Sequence, residues 1–190
     1  MIRLERLGQR HGTEILAGQD RDLAAEIIGR PWTEPTLAAF LERCELWHED
    51  GPLQEFAAVD AASGRLLGGG GLNRLAPGLA RGQAALTYWV LASERGRGIG
   101  AQIATALRGR ARRDPGLRQA VLLIADGNDA SRAVARRLGA CAGEDLVRHP
   151  ADGNRYVRRW LLDLRIGPEQ GWDQGQTLSD PEDRRPPSRP

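Results

Sequence analysis

The chain contains no lysine; all 27 of its basic side chains are arginines. That excludes a phosphate-binding Walker loop, which ends in Gly-Lys-Ser/Thr. Cysteine is scarce: Cys44 and Cys141 stand far apart in no metal-ligand spacing. They read as buried or idle thiols in a reducing compartment, not as a disulfide framework or a zinc site. No stretch approaches the roughly 20 apolar residues of a membrane span, and Met1–Arg6 lacks the apolar core of a secretory leader. The chain is therefore expected to be cytoplasmic, with no membrane partner. Large excess charge is missing as well. A net charge of +2 implies no bulk polyanion, so no nucleic-acid partner is expected. The all-arginine usage by itself carries no functional weight.

A length of 190 residues suits one domain with a sizeable core. Ile2–Leu7 alternates apolar and charged residues and predicts a first strand. Helices are predicted over Gln19–Ile28, with Leu23, Ala24, Ile27 and Ile28 on one face, and over Thr36–Trp47, capped by Thr36. Glu55–Asp60 and Arg65–Leu72 predict a hairpin whose turn ends at Gly64, where a positive φ is needed. Gly68–Gly71 within this strand pattern implies a bulge or the close approach of another segment or a ligand. Strands follow over Ala84–Leu91 and Gln119–Ala125, then a helix over Asn128–Leu138 with Asn128 as N-cap and Gly139 just past its end. Cys141–Val147 and Arg155–Leu164 predict a last hairpin around Asp152-Gly153. The domain is taken as residues 1–166. Residues 167–190 form a polar tail rich in Gly and Pro, expected to be disordered from about residue 180.

The most informative stretch is Tyr88–Leu107. Tyr88, Trp89, Val90 and Leu91 have the composition of a buried strand. Arg95-Gly96-Arg97-Gly98-Ile99-Gly100 follows, and Ile99, Ile103, Ala104, Leu107 and Ala111 then recur at helical spacing. Alternate glycines at a helix start let backbone N–H groups approach an anion, and the helix dipole and two guanidinium groups add positive potential there. A phosphate-bearing ligand suits the place. One alternative is a dinucleotide fingerprint: Gly96-x-Gly98-x-x-Ala101 meets its loose form, with Asp126 after the next strand as the ribose-binding acid. Against it, Ala92–Arg95 intervenes between strand and first glycine, and little chain remains to complete a doubly wound sheet.

Arg95-x-x-Gly98-x-Gly100 resembles the pyrophosphate loop of the GNAT superfamily of acetyl-CoA-dependent N-acetyltransferases. Asn128-Asp129-Ala130-Ser131, followed by Leu138-Gly139, resembles the segment after that family's fifth strand. The Tyr-Trp-Val-Leu strand is similar to the ribosomal-protein-alanine acetyltransferase branch. The resemblance implies a single α/β (α+β) domain. Its sheet would be mixed and mostly antiparallel, with six or seven strands and about four flanking helices. The activity implied is acetyl transfer from acetyl-CoA to a primary amine within a ternary complex, without a metal.

By the same resemblance Arg95, Gly96, Arg97, Gly98, Ile99 and Gly100 hold the pyrophosphate, and Val90 and Leu91 bind the pantetheine arm through their backbone. Asn128 and Ser131 complete the acetyl-CoA site. Ser131 is the candidate proton donor to the departing thiolate, with Tyr156 as the alternative, and Trp32, between Pro31 and Pro35, walls the acceptor pocket. Two departures from the family pattern stand out: no carboxylate occurs in Ala84–Thr87, where many members carry a glutamate, and Ala92 replaces a proline. A base must then come from Glu55, Glu94 or His149, directly or through water, unless the amine arrives neutral. His11, His48 and His149 are otherwise expected at the surface, as is the basic helix end Arg108–Arg113. The acceptor is a small-molecule or peptide amine, with a homodimer as the assembly to test. A nicotinamide-dependent oxidoreductase and a non-catalytic acyl-CoA-binding module are the alternatives.

Overall fold

The computed structural model describes residues 1–21, 23–24, 30–48, 50–150 and 153–165. The tail from residue 167, Asp22 and residues 25–28 of the helix expected over Gln19–Ile28, and Asp152 of the last turn lie outside these residues. In chain order the elements are β1 (Ile2–Arg6), α1 (Gly12–Gly18), α2 (Glu34–Leu46), β2 (Leu53–Asp60), β3 (Leu66–Asn73), β4 (Gln83–Val90), α3 (Ile99–Ala111), β5 (Gln119–Ile124), α4 (Asp129–Arg137), β6 (Cys141–Arg148) and β7 (Tyr156–Asp163). The strands form one seven-stranded sheet in the order β1-β2-β3-β4-β5-β7-β6, in which only β4 and β5 run parallel. The mixed, mostly antiparallel α/β architecture is as expected, and the doubly wound alternative falls with it.

Side chains alternate across a strand, so each strand feeds both faces of the sheet. Phe56, Leu72, Leu86 and Leu122 pack under Ile103 and Leu107 of α3, with Ala135 of α4 in the same cluster. Ala57, Val59, Leu66 and Leu91 pack on the opposite face against Ile15 of α1 and Leu37, Leu41 and Cys44 of α2. Both layers are needed to place β4, which is covered by α3 on one side and flanked by the α2 layer on the other.

Several local readings change. The first helix is Gly12–Gly18, reached through a 3₁₀ turn at Gln9–His11. Glycine at both ends and a threonine inside mask its helical period. Helix α2 begins earlier than predicted: Thr33, not Thr36, is its N-cap, and Pro35 sits in the first turn instead of breaking the helix. Pro there is well placed because the N–H it lacks has no intrahelical partner. Thr36 bonds back instead, its Oγ1 accepting from Thr33 N at 3.0 Å. The histidines divide. His48 is exposed, whereas His11 and His149 are buried. His11 is held inside by polar partners: Nε2 lies 3.0 Å from Glu5 Oε1, and Nδ1 faces Gly8. The basic end of α3 is not simply solvated either. Arg110 lies 4.8 Å over the Phe56 ring and donates to Gln54 Oε1 at 2.8 Å.

Gly68–Gly71 runs through β3 as regular strand, with one irregularity opposite Ala58/Val59. Close approach is its main feature. A Cβ on Gly69 would come within 2.5 Å of the Trp89 ring, and one on Gly71 within 2.5 Å of the Glu55 carboxyl. Both larger groups therefore lie flat over bare backbone. The Gly64 and Gly139 turns have φ of 74° and 81°, as the sequence requires.

Candidate active site

The glycine loop leaves β4 through a 3₁₀ turn at Ala92–Glu94 and enters α3. Gly96 and Gly98 have φ of 75° and 72°, the left-handed region, and Gly98 is the N-cap of α3. A Cβ at either would meet nothing within 4 Å, so the space above the loop is open. The first bond of the helix runs from Gln102 N to Gly98 O at 3.2 Å. The N–H groups of Ile99, Gly100 and Ala101 therefore precede the helical ladder and point out of its positive end. This is a backbone anion cradle with room over it. The guanidinium groups beside it carry carboxylate partners. Arg95 makes a two-pronged pair with Asp20, each distance 2.7 Å, and its hydrogen bonds hold that carboxyl below its ordinary range. Arg97 and Arg65 flank buried Glu94. A phosphate placed there would meet the backbone first and arginine charge second.

Next to the cradle the sheet opens. Strands β4 and β5 pair only at Gln83–Gln119, Ala84–Ala120 and Ala85–Val121, although β4 continues to Val90 and β5 to Ile124. From Leu86 onward no residue of β5 pairs with β4. Leu91 N donates to Leu67 O of β3 at 3.0 Å, so its N–H is committed away from the opening. Backbone groups alternate in direction along a strand, so the N–H groups of Tyr88 and Val90 face the opening instead. Of the two backbone positions predicted, Val90 thus has a donor to offer and Leu91 does not.

The N-terminus of α4 borders the same region. Asn128 caps it as predicted, Oδ1 accepting from Ser131 N at 3.0 Å. The Ser131 hydroxyl takes no part in that cap. It accepts a hydrogen bond of 3.1 Å from the Tyr88 hydroxyl, which the sequence reading treated only as a strand residue. Tyr156 stands apart, 55% exposed at the start of β7 with its ring 5.6 Å from the Arg148 guanidinium.

The three base candidates separate. Glu94 is fixed between Arg65 and Arg97, and the Arg65 hydrogen bond, with the charges of both arginines, keeps its carboxyl below the usual range. It is a poor base at neutral pH. His149 is tucked into the end of the β6–β7 hairpin, its backbone N–H donating to Arg155 O at 2.8 Å. Glu55 differs from both. Its carboxyl lies over Gly71, which pairs with Thr87 of β4, and Thr87 is exposed on that face. No hydrogen bond or ion pair reaches it among the described residues, and burial alone pushes its pKa up from 4.5 to about 7. It borders a cleft of about 640 Å³, shared with Arg6, Cys44, His48, Arg110 and Arg113. Burial first, and then the charge of Glu55, pushes the Cys44 thiol up to about 12. A signal for Glu55 was present in the sequence. It shares strand parity with Ala57 and Val59, so a carboxylate occupies a slot that faces the core.

Trp32 is anchored by two hydrogen bonds, its backbone N–H donating to Gln19 Oε1 at 2.8 Å and its backbone O accepting from Gln19 Nε2 at 2.9 Å. Its ring stacks on Phe40 at 5.1 Å, and Phe40 meets Trp47 edge-on at 6.2 Å. This aromatic wall stands on the same side of the sheet as Glu55. Among the described residues no group of His, Cys, Asp and Glu is arranged to hold a metal ion, and no helix is long and apolar enough to cross a membrane.

Comparison with known proteins agrees with this arrangement. No curated protein sequence matches the chain. Among solved structures, a spermidine N-acetyltransferase from Vibrio cholerae, in complex with CoA and spermine, superposes with a TM-score of 0.71 at 15% identity, over 86% of this chain and 96% of that one. A ribosomal-protein-serine acetyltransferase-like protein from Vibrio cholerae gives 0.72 at 18% identity over 85% and 93%. The acetyltransferase-like yncA from Salmonella typhimurium, with its cofactor acetyl-CoA, gives 0.64 at 17% over 86% and 94%. These likenesses establish the fold. The model of the acetyltransferase (GNAT) domain matches residues 2–140. With its split sheet and glycine-capped α3, the chain belongs to the GNAT acetyltransferase family.

Proposed function

We propose that the protein transfers the acetyl group of acetyl-CoA to a primary amine by direct attack in a ternary complex. The observation that carries this reading is the opening between β4 and β5, which leads straight to the α3 cradle. Gly96, Gly98 and the N–H groups of Ile99 and Gly100 hold the pyrophosphate, with Arg95 and Arg97 at the rim. Asn128 borders the pantetheine arm. Val90 N–H polarises the thioester carbonyl, an electrostatic contribution that strengthens as negative charge develops on oxygen. Ser131 protonates the departing thiolate. It is preferred over Tyr156 because its hydroxyl lies at the opening, whereas Tyr156 packs under Arg148. Glu55 removes the ammonium proton through solvent, from β2 across the bare Gly71 of β3, and so replaces the carboxylate missing from Ala84–Thr87. Trp32 walls the acceptor pocket.

The spermidine N-acetyltransferase among the structural neighbours acts on an amine, which supports the amine class. The Tyr-Trp-Val-Leu strand favours a peptide or protein N-terminus, in keeping with the ribosomal-protein-alanine branch. Two measurements test the proposal. Acetyl-CoA at 100 times its Kd should stabilise the chain by about 2.7 kcal/mol, seen as a rise in Tm that NAD does not produce. An acetyl-CoA consumption screen over peptides and small amines should then show turnover. Stabilisation without turnover on any amine would leave a binding module, and no stabilisation would remove the reading altogether.

The cradle gives a sharper prediction. Gly98→Val places a β-branched residue at φ 72°, a conformation that costs an L-residue about 1–2 kcal/mol. Open space around that position means the fold survives. The loop relaxes toward negative φ, its N–H groups turn away, and acetyl-CoA affinity falls at least about tenfold, or about 1.4 kcal/mol. Calorimetric titration of the folded variant reads this directly, and an unchanged Kd would sink the cradle.

A further inference from the structure

We propose that Tyr88 is a positioning residue that delivers, through Ser131, the proton taken up by the departing thiolate. The proposal rests on the reading of Ser131 as the group that meets the sulfur. Four observations carry it beyond that reading. First, Tyr88 lies on β4 beyond the last β4–β5 pair, at the mouth of the opening. Its side chain shares strand parity with Leu86 and Val90 and so points to the α3/α4 face. Second, its ring is pinned. A Cβ on Gly100 would meet Tyr88 Cε2 at 3.1 Å, and the hydroxyl reaches Ser131 Oγ at 3.1 Å. One side chain thus spans the first turns of α3 and α4. Third, the helix-start work at α4 belongs to Asn128, which takes Ser131 N and leaves the serine hydroxyl out of the cap. Fourth, the direction of the bond matters. Tyr88 donates and Ser131 accepts, so the serine's own hydrogen is aimed elsewhere and is available to a third atom.

Chemistry supplies the reason for such a pair. An aliphatic alcohol is a far weaker acid than a thiol, so a serine acting alone would protonate a thiolate only by forming an unfavourable alkoxide. A phenol is a much stronger acid than an alcohol and lies close to a thiol in strength. With Tyr88 behind Ser131 the alkoxide never has to form. As the carbon–sulfur bond breaks, its electron pair goes to sulfur. Sulfur takes the hydrogen of Ser131 Oγ, Ser131 Oγ takes that of the Tyr88 hydroxyl, and the partly exposed phenolate recovers a proton from solvent. The net transfer is one proton from solvent to sulfur, and both side chains end as they began.

The test uses the full chain and three variants, Tyr88→Phe, Ser131→Ala and the double substitution. Tyr88→Phe removes one oxygen and keeps the ring against Gly100, so the fold and the Kd for acetyl-CoA should hold. The single-turnover rate of acetyl transfer should drop about 10²-fold, the low end of acid–base contributions. The double variant should be no slower than the slower single one, because the two groups act as a unit. A proton inventory in mixed H₂O and D₂O should be curved for the wild type, with two protons in flight, and linear for Tyr88→Phe. If Ser131→Ala slows transfer while Tyr88→Phe leaves both the rate and the inventory unchanged, the relay is overturned and Ser131 stands alone. If Ser131→Ala leaves the rate unchanged, the serine reading fails and takes the relay with it. Additive losses in the double variant also overturn the relay.

Discussion

Glu55→Gln should lower kcat/KM for amine acetylation by about 10²–10⁴-fold, the span expected when a general base is lost, while acetyl-CoA binding stays intact. The Kd should hold because Glu55 sits over Gly71 on the α1/α2 face, away from the α3 cradle. The wild-type pH profile should carry the same signature. With a pKa of about 7, the carboxyl is a base only above that value, so kcat/KM should rise through pH 7 with an acid limb that Glu55→Gln lacks. The charged and titratable groups sharing the cleft are Glu5, Arg6, Cys44, His48, Arg110 and Arg113. His48→Gln is the control that separates a histidine limb from a glutamate limb. A Glu55→Gln enzyme retaining the full rate and the limb would show that the amine arrives neutral or that another group takes its proton.

The same substitution should raise stability. Burial disfavours the Glu55 carboxylate, so its folded pKa, about 7, lies above the unfolded value of 4.5. Below pH 4.5 the group is protonated in both states and costs nothing. Between pH 4.5 and 7 the unfolded chain loses its proton first, and stability declines; above pH 7 the penalty is constant. At about 1.4 kcal/mol per tenfold it amounts to at most about 3 kcal/mol. Glu55→Gln should therefore be the more stable protein at pH 8 by up to about that amount, with the difference vanishing near pH 4, as read by urea unfolding at the two pH values. A faster wild type and a more stable variant are the two sides of one desolvated charge.

How far the sequence revealed this site depends on the range over which each part is determined. The glycine loop, the Asn128 cap and the Gly139 stop are set by residues within a few positions of one another, and local backbone chemistry fixes them. The β4 and β5 strands were legible from composition, but the opening between them was not, since it depends on where pairing ends. Long-range partners were beyond reach: Arg95 meets Asp20 across 75 positions, and Arg65 meets Glu94 across 29. Glu94 looked as good a base as Glu55 until its two arginines were placed. Likewise Tyr88 could be assigned to a strand but not to a hydroxyl 43 positions away in sequence.

Ser131→Ala carries the second large effect. If the hydroxyl protonates the leaving sulfur, kcat should fall about 10²-fold or more with little change in acetyl-CoA affinity, because the contact matters chiefly in the transition state. The competing idea, that the serine merely starts a helix, predicts a loss of stability of about 1 kcal/mol, the cost of removing a cap. The structure makes the two easier to tell apart. Asn128 is the cap, and its bond goes to the Ser131 backbone, which alanine keeps. Only the Tyr88 hydrogen bond is lost, about 0.5–1.5 kcal/mol. Asn128→Ala is the matched control: it should cost the cap and lower Tm with a smaller effect on kcat. An unaltered kcat in Ser131→Ala would shift attention to Tyr156, for which Tyr156→Phe is the parallel measurement.

The glycine run in β3 bears on how any mutational survey of this protein is interpreted. Alanine is ordinarily the mildest replacement, a methyl group that asks little of its surroundings. At Gly68, Gly69, Gly70 and Gly71 that methyl would come within 3.0 Å of the carbonyl oxygen of a neighbouring strand, and backbone cannot step aside as a side chain can. An alanine scan would therefore show four consecutive inactive variants in the middle of the sheet, beside the opening and next to Glu55 and Trp89. They would mimic a catalytic motif. Their defect would be mechanical, a parting of β2 and β4 from β3 that misaligns the base and Val90 together. The way to recognise it is that acetyl-CoA affinity, stability and turnover would all decline at once, whereas loss of a chemical group leaves the first two standing.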